Sequence, residues 1–131
     1  MNTLIGHINK IDDFEGLTLI EIQVENDILK SIVINNDSLT YQINDKVELL
    51  FKETEVILGQ KTDHLISLQN KLNCTIINIQ KGKLLSQVHL QYRNFKLCSI
   101  ITTNSVINLD LKINDNIVAY IKTNEIMVAK C

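Results

Sequence analysis

The chain repeats itself. Ile43-Asn44-Asp45-Lys46-Val47 is matched by Ile113-Asn114-Asp115-Asn116-Ile117 at an offset of 70 residues. The match continues from Phe51-Lys52-Glu53-Thr54-Glu55-Val56-Ile57-Leu58-Gly59 to Ile121-Lys122-Thr123-Asn124-Glu125-Ile126-Met127-Val128-Ala129. The opening segments correspond at an offset of 68: Asn2, Leu4, Ile8 and Ile11 align with Asn70, Leu72, Ile76 and Ile79, and Ser31-Ile32-Val33 with Ser99-Ile100-Ile101. The change of offset puts two extra residues into the second copy, between Ser99 and Ile113. Such a duplication builds one structural unit twice. Here the units are residues 1–64 and 65–131, with a junction near 60–67 that has no Gly/Ser-rich or Pro-rich tether. A unit of about 65 residues has a marginal core by itself. The two units, or further copies of the chain, are therefore expected to pack together.

Each unit reads as strands. Ile, Val, Thr, Tyr and Phe favour extended backbone. Residues 17–24 and 88–92 alternate as half-buried strands do. Turns at Glu25-Asn26-Asp27 and Arg93-Asn94 lead into strands over 28–34 and 95–102. The Asn-Asp pairs at 44–45 and 114–115 mark turns into 47–51 and 117–121. One helical turn is expected at Ser105-Val106-Ile107-Asn108-Leu109, capped by Asn104 or Ser105, with Asn36-Asp37-Ser38-Leu39 its counterpart. Five strands and a helical turn per unit predict an all-β chain of two small barrels, which protect their strand edges. The sequence has no amphipathic helix long enough for a parallel βαβ architecture.

Composition narrows the function. Glycine-rich phosphate loops are absent, with 4 Gly in all. Cys74, Cys98 and Cys131 are too few and too scattered for a zinc motif, and His7, His64 and His89 form no ligand pair, so no metal ligands are expected. An odd cysteine count and no secretory or membrane-spanning segment predict a cytoplasmic protein without a membrane partner. A net charge of −2 disfavours nucleic acid as a partner. That average conceals −7 in residues 1–65 and +5 in residues 66–131. Either two solvated faces have drifted apart, or the halves have different electrostatic roles.

No acid–base pair or positioned nucleophile stands out, so an enzyme is not expected. Asp12, Asp13 and Glu15 read as a solvated hairpin tip, and Cys98 as a buried small side chain. The useful cluster is polar and cationic: Ser67, Asn70, Ser99, Lys122 and Thr123, at strand starts and ends. Hydroxyl, amide and ammonium donors suit a small tetrahedral oxyanion. The alternative is turn capping by Ser67 and Asn70 and a solvated Lys122. The first unit offers Asn2, Ser31, Lys52 and Glu53 in the corresponding places. Glu53 replaces Thr123, removing a donor and adding a charge that repels anions. Weaker anion binding is therefore expected at the first unit's own strand end.

At these residues the sequence resembles the molybdenum-pterin-binding, or Mop, family, a branch of the TOBE domains. The resemblance is carried by Ser67-Leu68-Gln69-Asn70-Lys71-Leu72, by Ser99-Ile100-Ile101-Thr102-Thr103-Asn104-Ser105-Val106, and by Leu109-Asp110-Leu111-Lys112-Ile113-Asn114-Asp115. It is most specific in Ala119-Tyr120-Ile121-Lys122-Thr123-Asn124-Glu125-Ile126-Met127-Val128. The second unit matches almost end to end, and the first is a divergent copy.

The resemblance implies two five-stranded OB-like barrels whose strands can be exchanged between units. It implies molybdate or tungstate as ligand, held at unit or subunit interfaces, and a role in oxyanion storage and homeostasis. It also implies a homo-oligomer: tandem members form trimers, which favours a homotrimer here. The oxyanion-contacting positions carry over to Ser67, Asn70, Ser99, Lys122 and Thr123, with Asn2, Ser31 and Lys52 as first-unit counterparts. Gln69 stands where the family signature often has Arg, so a permanent charge and a bidentate donor are lost. Without Trp, an aromatic pterin cage has no support, and no organic cofactor is expected. The competing reading is a sensor or interaction module that docks on a molybdate-handling protein and binds little oxyanion itself.

Overall fold

Alternating apolar residues give each long strand one buried face. The computed structural model describes residues 1–34, 40–60 and 65–131. The first copy supplies β1 (Asn2–Phe14), β2 (Leu17–Val24), β3 (Asp27–Ile34), β4 (Lys46–Phe51) and β5 (Ile57–Gly59). The second supplies β6 (Asn70–Lys81), β7 (Leu85–Tyr92), β8 (Phe95–Thr102), β9 (Asn116–Ile121) and β10 (Met127–Lys130), with a helix α1 (Thr103–Asn108) between β8 and β9. The β1–β2 hairpin turns at Glu15 and Gly16, both with positive φ (49° and 81°), a conformation that suits glycine. Asn44 and Asn114 take the same left-handed conformation at equivalent turns, where a short amide side chain tolerates it.

The strands form two five-stranded sheets, and each closes with a strand from the other copy. The sheet orders are β10-β4-β1-β2-β3 and β5-β9-β6-β7-β8, with every pairing antiparallel. Thus β10 pairs with β4, Val128 opposite Leu49, and β5 pairs with β9, Leu58 opposite Ala119. This is the tandem OB-like, strand-exchanged architecture that the resemblance implies. After Phe51 the chain crosses to the other sheet through the 3-10 turn Glu53–Glu55, and after Ile121 it crosses back through the 3-10 turn Thr123–Glu125.

A single apolar core spans both copies. Leu4, Ile8, Leu49 and Phe51 of the first copy are buried together with Leu72, Ile76, Leu90 and Ile121 of the second. Residues from each unit thus supply burial that a 65-residue piece lacks. The hydroxyl of Tyr41 donates to the carbonyl of Val128 at 3.1 Å, fastening β10 to the copy it closes.

Two local expectations change. The helix begins at Thr103, and its cap is Thr102, whose hydroxyl accepts from the Ser105 N–H at 3.1 Å. Thr103 contributes separately, donating to the Gly82 carbonyl at 2.8 Å. The side chain of Cys98 is half-buried and not fully enclosed, because it lies on the outer side of β8 between the buried Leu97 and Ser99. The helical turn expected at residues 36–39 lies outside the described residues.

Part of the charge division is used between the copies. Arg93, the sole arginine of the chain, lies on the β7–β8 turn, and its Nε donates to Asp27 Oδ2 at 3.0 Å. It also lies 3.8 Å from Glu25 Oε2 on the β2–β3 turn of the other copy. The hydroxyl of Tyr92 donates to the same Asp27 carboxylate, and the Asn94 amide donates to Glu25 at 2.7 Å. The acidic turn of the first copy therefore docks on the basic turn of the second. The Arg93 hydrogen bond is the main cause of the lowered Asp27 pKa, helped by Tyr92 and opposed by burial.

Candidate functional site

The candidate residues collect where the chain crosses between sheets, and the exchange regroups them. Asn70 begins β6 opposite Ile121, the last residue of β9, so it stands next to Lys122. Its side-chain amide reaches into the first copy: Nδ2 donates to the Lys30 carbonyl at 2.8 Å, and the Lys30 N–H donates to Oδ1 at 2.7 Å. The neighbouring Ser31 hydroxyl donates to the Ile126 carbonyl at 2.7 Å. The crossover over residues 122–126 is thus held at both ends against β3 of the other copy.

The same construction recurs once. Asn2 begins β1 opposite Phe51, next to Lys52. Its Nδ2 donates to the Cys98 carbonyl at 2.8 Å, and the Cys98 N–H donates to its Oδ1 at 2.8 Å. The Ser99 hydroxyl donates to the Val56 carbonyl at 2.8 Å. All four polar side chains, Asn2, Ser31, Asn70 and Ser99, are buried. Buried polar groups must be satisfied, and these are satisfied across the boundary between the copies.

The structure therefore brings Asn70, Lys122 and Thr123 together with Ser31 at one junction, and Asn2 and Lys52 together with Ser99 at the other. Chain order groups Ser99 with Lys122 and Ser31 with Lys52, while the resemblance also allows sites built from both units at an interface. The serine changes junction because each crossover leaves its own sheet. Ser67 is exposed in the bend just before β6. Lys122 and Lys52 are exposed, while Thr123 and Glu53 are half-buried.

One residue that the sequence does not single out belongs to this setting. Lys30 lies on β3 beside Asn70 and pairs with Glu21 Oε1 at 3.7 Å. It occupies the position that Cys98 holds in the second copy, an alignment visible in the Ser31/Ser99 register. Burial and then the charge of Glu53 push the Cys98 thiol up, with the amino group of Met1 opposing, so Glu53 acts across the junction. The carboxylate of Glu53 accepts from the Met1 amino group at 2.9 Å, and this contact is the main cause of its lowered pKa.

What each junction can do follows from its donors. The four buried side chains already spend a hydrogen on a carbonyl, so their first effect is to fix the crossover. The exposed ammonium of Lys122 and the half-buried hydroxyl of Thr123 are donors at the surface, with the carboxylate of Glu125 in the same turn. Among the described residues, no group of three or more His, Cys, Asp or Glu could hold a metal ion. No helix among them is long and apolar enough to cross a membrane.

Comparisons with known proteins agree with this architecture. The TOBE domain family matches residues 66–128. The fold superimposes on the cytoplasmic molybdate-binding protein ModG, in a PEG-grown form with molybdate bound, at a TM-score of 0.94. That match has 21% identity and covers 99% of this chain and 96% of that one. A molybdate-binding protein from Sporomusa ovata matches at 36% identity and a TM-score of 0.50, covering 51% of this chain and 100% of that one. No protein among the curated sequences matches significantly. The near-complete overlay fits the two five-stranded sheets, and the Sporomusa protein corresponds in full to about half of the chain: this chain belongs to the TOBE-domain family.

Proposed function

We propose that the chain is a non-enzymatic cytoplasmic protein that binds molybdate, or the similarly shaped tungstate, for storage and homeostasis. The observation that carries this reading is the Lys122 crossover. There a cation and a hydroxyl sit on a backbone segment fixed at one end by Asn70 and at the other by Ser31. Preset donors lose little entropy when an anion arrives. Lys122 and Thr123 make the direct contacts, with Ser67 on the exposed approach and backbone N–H groups replacing the missing signature arginine. Asn70 and Ser31, and at the other junction Asn2 and Ser99, act by holding the backbone donors in place. Both solved relatives named above are described as molybdate-binding proteins.

The chain assembles as a homotrimer in this reading. An open apolar groove beside the Lys122 crossover, lined by Leu17, Ile32, Ile34, Ile126, Met127 and Val128, supports a subunit contact there. Ile34 and Phe14 nearby are 81% and 74% exposed, more than a small monomer needs to leave in water. The same groove favours the second reading, a sensor module docking on a molybdate-handling partner. Native mass spectrometry with and without molybdate tests both. Saturable addition of molybdate to a trimer supports storage. A chain that takes up neither molybdate nor tungstate refutes it and leaves the docking module.

A further inference from the structure

We propose that Glu53 closes one of the two junctions to oxyanions, so that the chain carries a working anion site at Lys122 and a silenced copy of it at Lys52. The inference rests on the oxyanion reading above and extends it to the number of sites and the residue that sets it. The frameworks of the junctions are the same. Asn70 clamps Lys30 while Asn2 clamps Cys98, and Ser31 holds Ile126 while Ser99 holds Val56, all within 2.7–2.8 Å. Three matched cross-copy hydrogen bonds thus hold each crossover in the same position.

The electrostatics are what differ. At the Lys122 junction the next residue is the neutral donor Thr123, and the clamped strand residue is the cation Lys30, 3.7 Å from Glu21 Oε1. At the Lys52 junction the next residue is the carboxylate Glu53, which is paired with the Met1 ammonium at 2.9 Å, and the clamped strand residue is the neutral Cys98. Glu125 and Glu55 occupy equivalent positions and cancel in the comparison. The exchange of Thr for Glu removes a hydroxyl donor and sets a negative charge next to the lysine. That carboxylate repels a dianion and also ties up the Met1 ammonium, which would otherwise attract one. The Glu53 carboxylate is held beside the junction by the Met1 ammonium at 2.9 Å, one residue from the clamp Asn2. In effect the protein's own carboxylate stands in for the absent ligand.

Equilibrium dialysis and native mass spectrometry of the intact chain with molybdate decide the matter. Wild type is compared with K122A, E53T and the double variant E53T/K122A. E53Q serves as a near-isosteric variant that removes only the charge. Wild type is expected to saturate and K122A to lose binding. E53T is expected to raise bound molybdate about twofold, and E53T/K122A to recover about the wild-type amount, as a lifted charge block requires. If E53T and E53Q hold only the wild-type amount and the double variant stays silent, the block is not Glu53, while the oxyanion reading survives. If neither wild type nor any Glu53 variant binds molybdate, both fall together.

Discussion

The side chain of Asn70 pairs with the backbone of Lys30 as a neighbouring strand would, giving one hydrogen bond and receiving another at 2.8 and 2.7 Å. The pair is buried at the boundary between the copies, so neither lost bond is replaced readily by water. Asn70→Ala is expected to lower unfolding free energy by about 2 kcal/mol, about one for each bond. Urea denaturation followed by circular dichroism measures this. Asn2→Ala should behave alike, because Asn2 makes the same two bonds to Cys98. An effect within about 0.5 kcal/mol for both would show that the clamps contribute no more than an ordinary surface contact.

Lys122→Ala should weaken molybdate binding much more than Lys52→Ala. Loss of a charge-assisted contact is expected to reduce affinity about tenfold or more. Isothermal titration calorimetry of both variants measures the difference. Equal losses would remove the asymmetry between the junctions.

The docking of the two turns carries an acid limit. Asp27 is held below the ordinary carboxylate range by Arg93 and Tyr92. Its folded pKa lies under its unfolded value, so its contribution to stability is complete above about 3.9, the ordinary Asp value, and is lost as pH falls through the lowered folded pKa. Asp27→Asn should therefore lower the thermal midpoint at neutral pH and flatten its fall in acid. Thermal melts between neutral pH and about pH 3 test this. An unchanged acid limb in the variant would place the acid sensitivity elsewhere.

The cysteines should separate by reactivity. Burial pushes the Cys74 thiol up to about 12, while Cys131 is exposed at the end of the chain. Since the thiolate is the reactive form, iodoacetamide under native conditions should label Cys131 first and leave Cys74 intact until the chain unfolds. Peptide mass mapping over time reads the order. Labelling of Cys74 as fast as Cys131 would show that the core opens locally.

Much of the fold is legible in the sequence because its strands are written in alternation. The runs 17–24 and 95–102 coincide with β2 and β8, and the paired Asn-Asp turns take the left-handed backbone their residue types permit. The exchange of strands is legible only through the family resemblance and not in the periodicity. Ile57-Leu58-Gly59 and Met127-Val128-Ala129 have the same pattern whichever copy they close, since periodicity records a buried face and not the identity of the neighbour. Ser31 and Ser99 illustrate the consequence at the site. Their types suggest donors near a lysine, but which lysine depends on a crossing that no local pattern encodes. Lys30 escapes notice for the same reason, because only Asn70, from the other copy, brings it to the junction.

Because β5 and β10 finish the opposite sheet, the duplicated chain is a dimer that dilution cannot take apart. Two free copies exchanging the same strands would fall open at low concentration; fused copies meet at an effective concentration set by the linker. The pair should accordingly melt as one body, at a temperature indifferent to how much protein is present except where trimer formation adds to it. Such a partnership also shelters divergence. The first copy can surrender its own ligand and still hold the closing strand that keeps the second one ready.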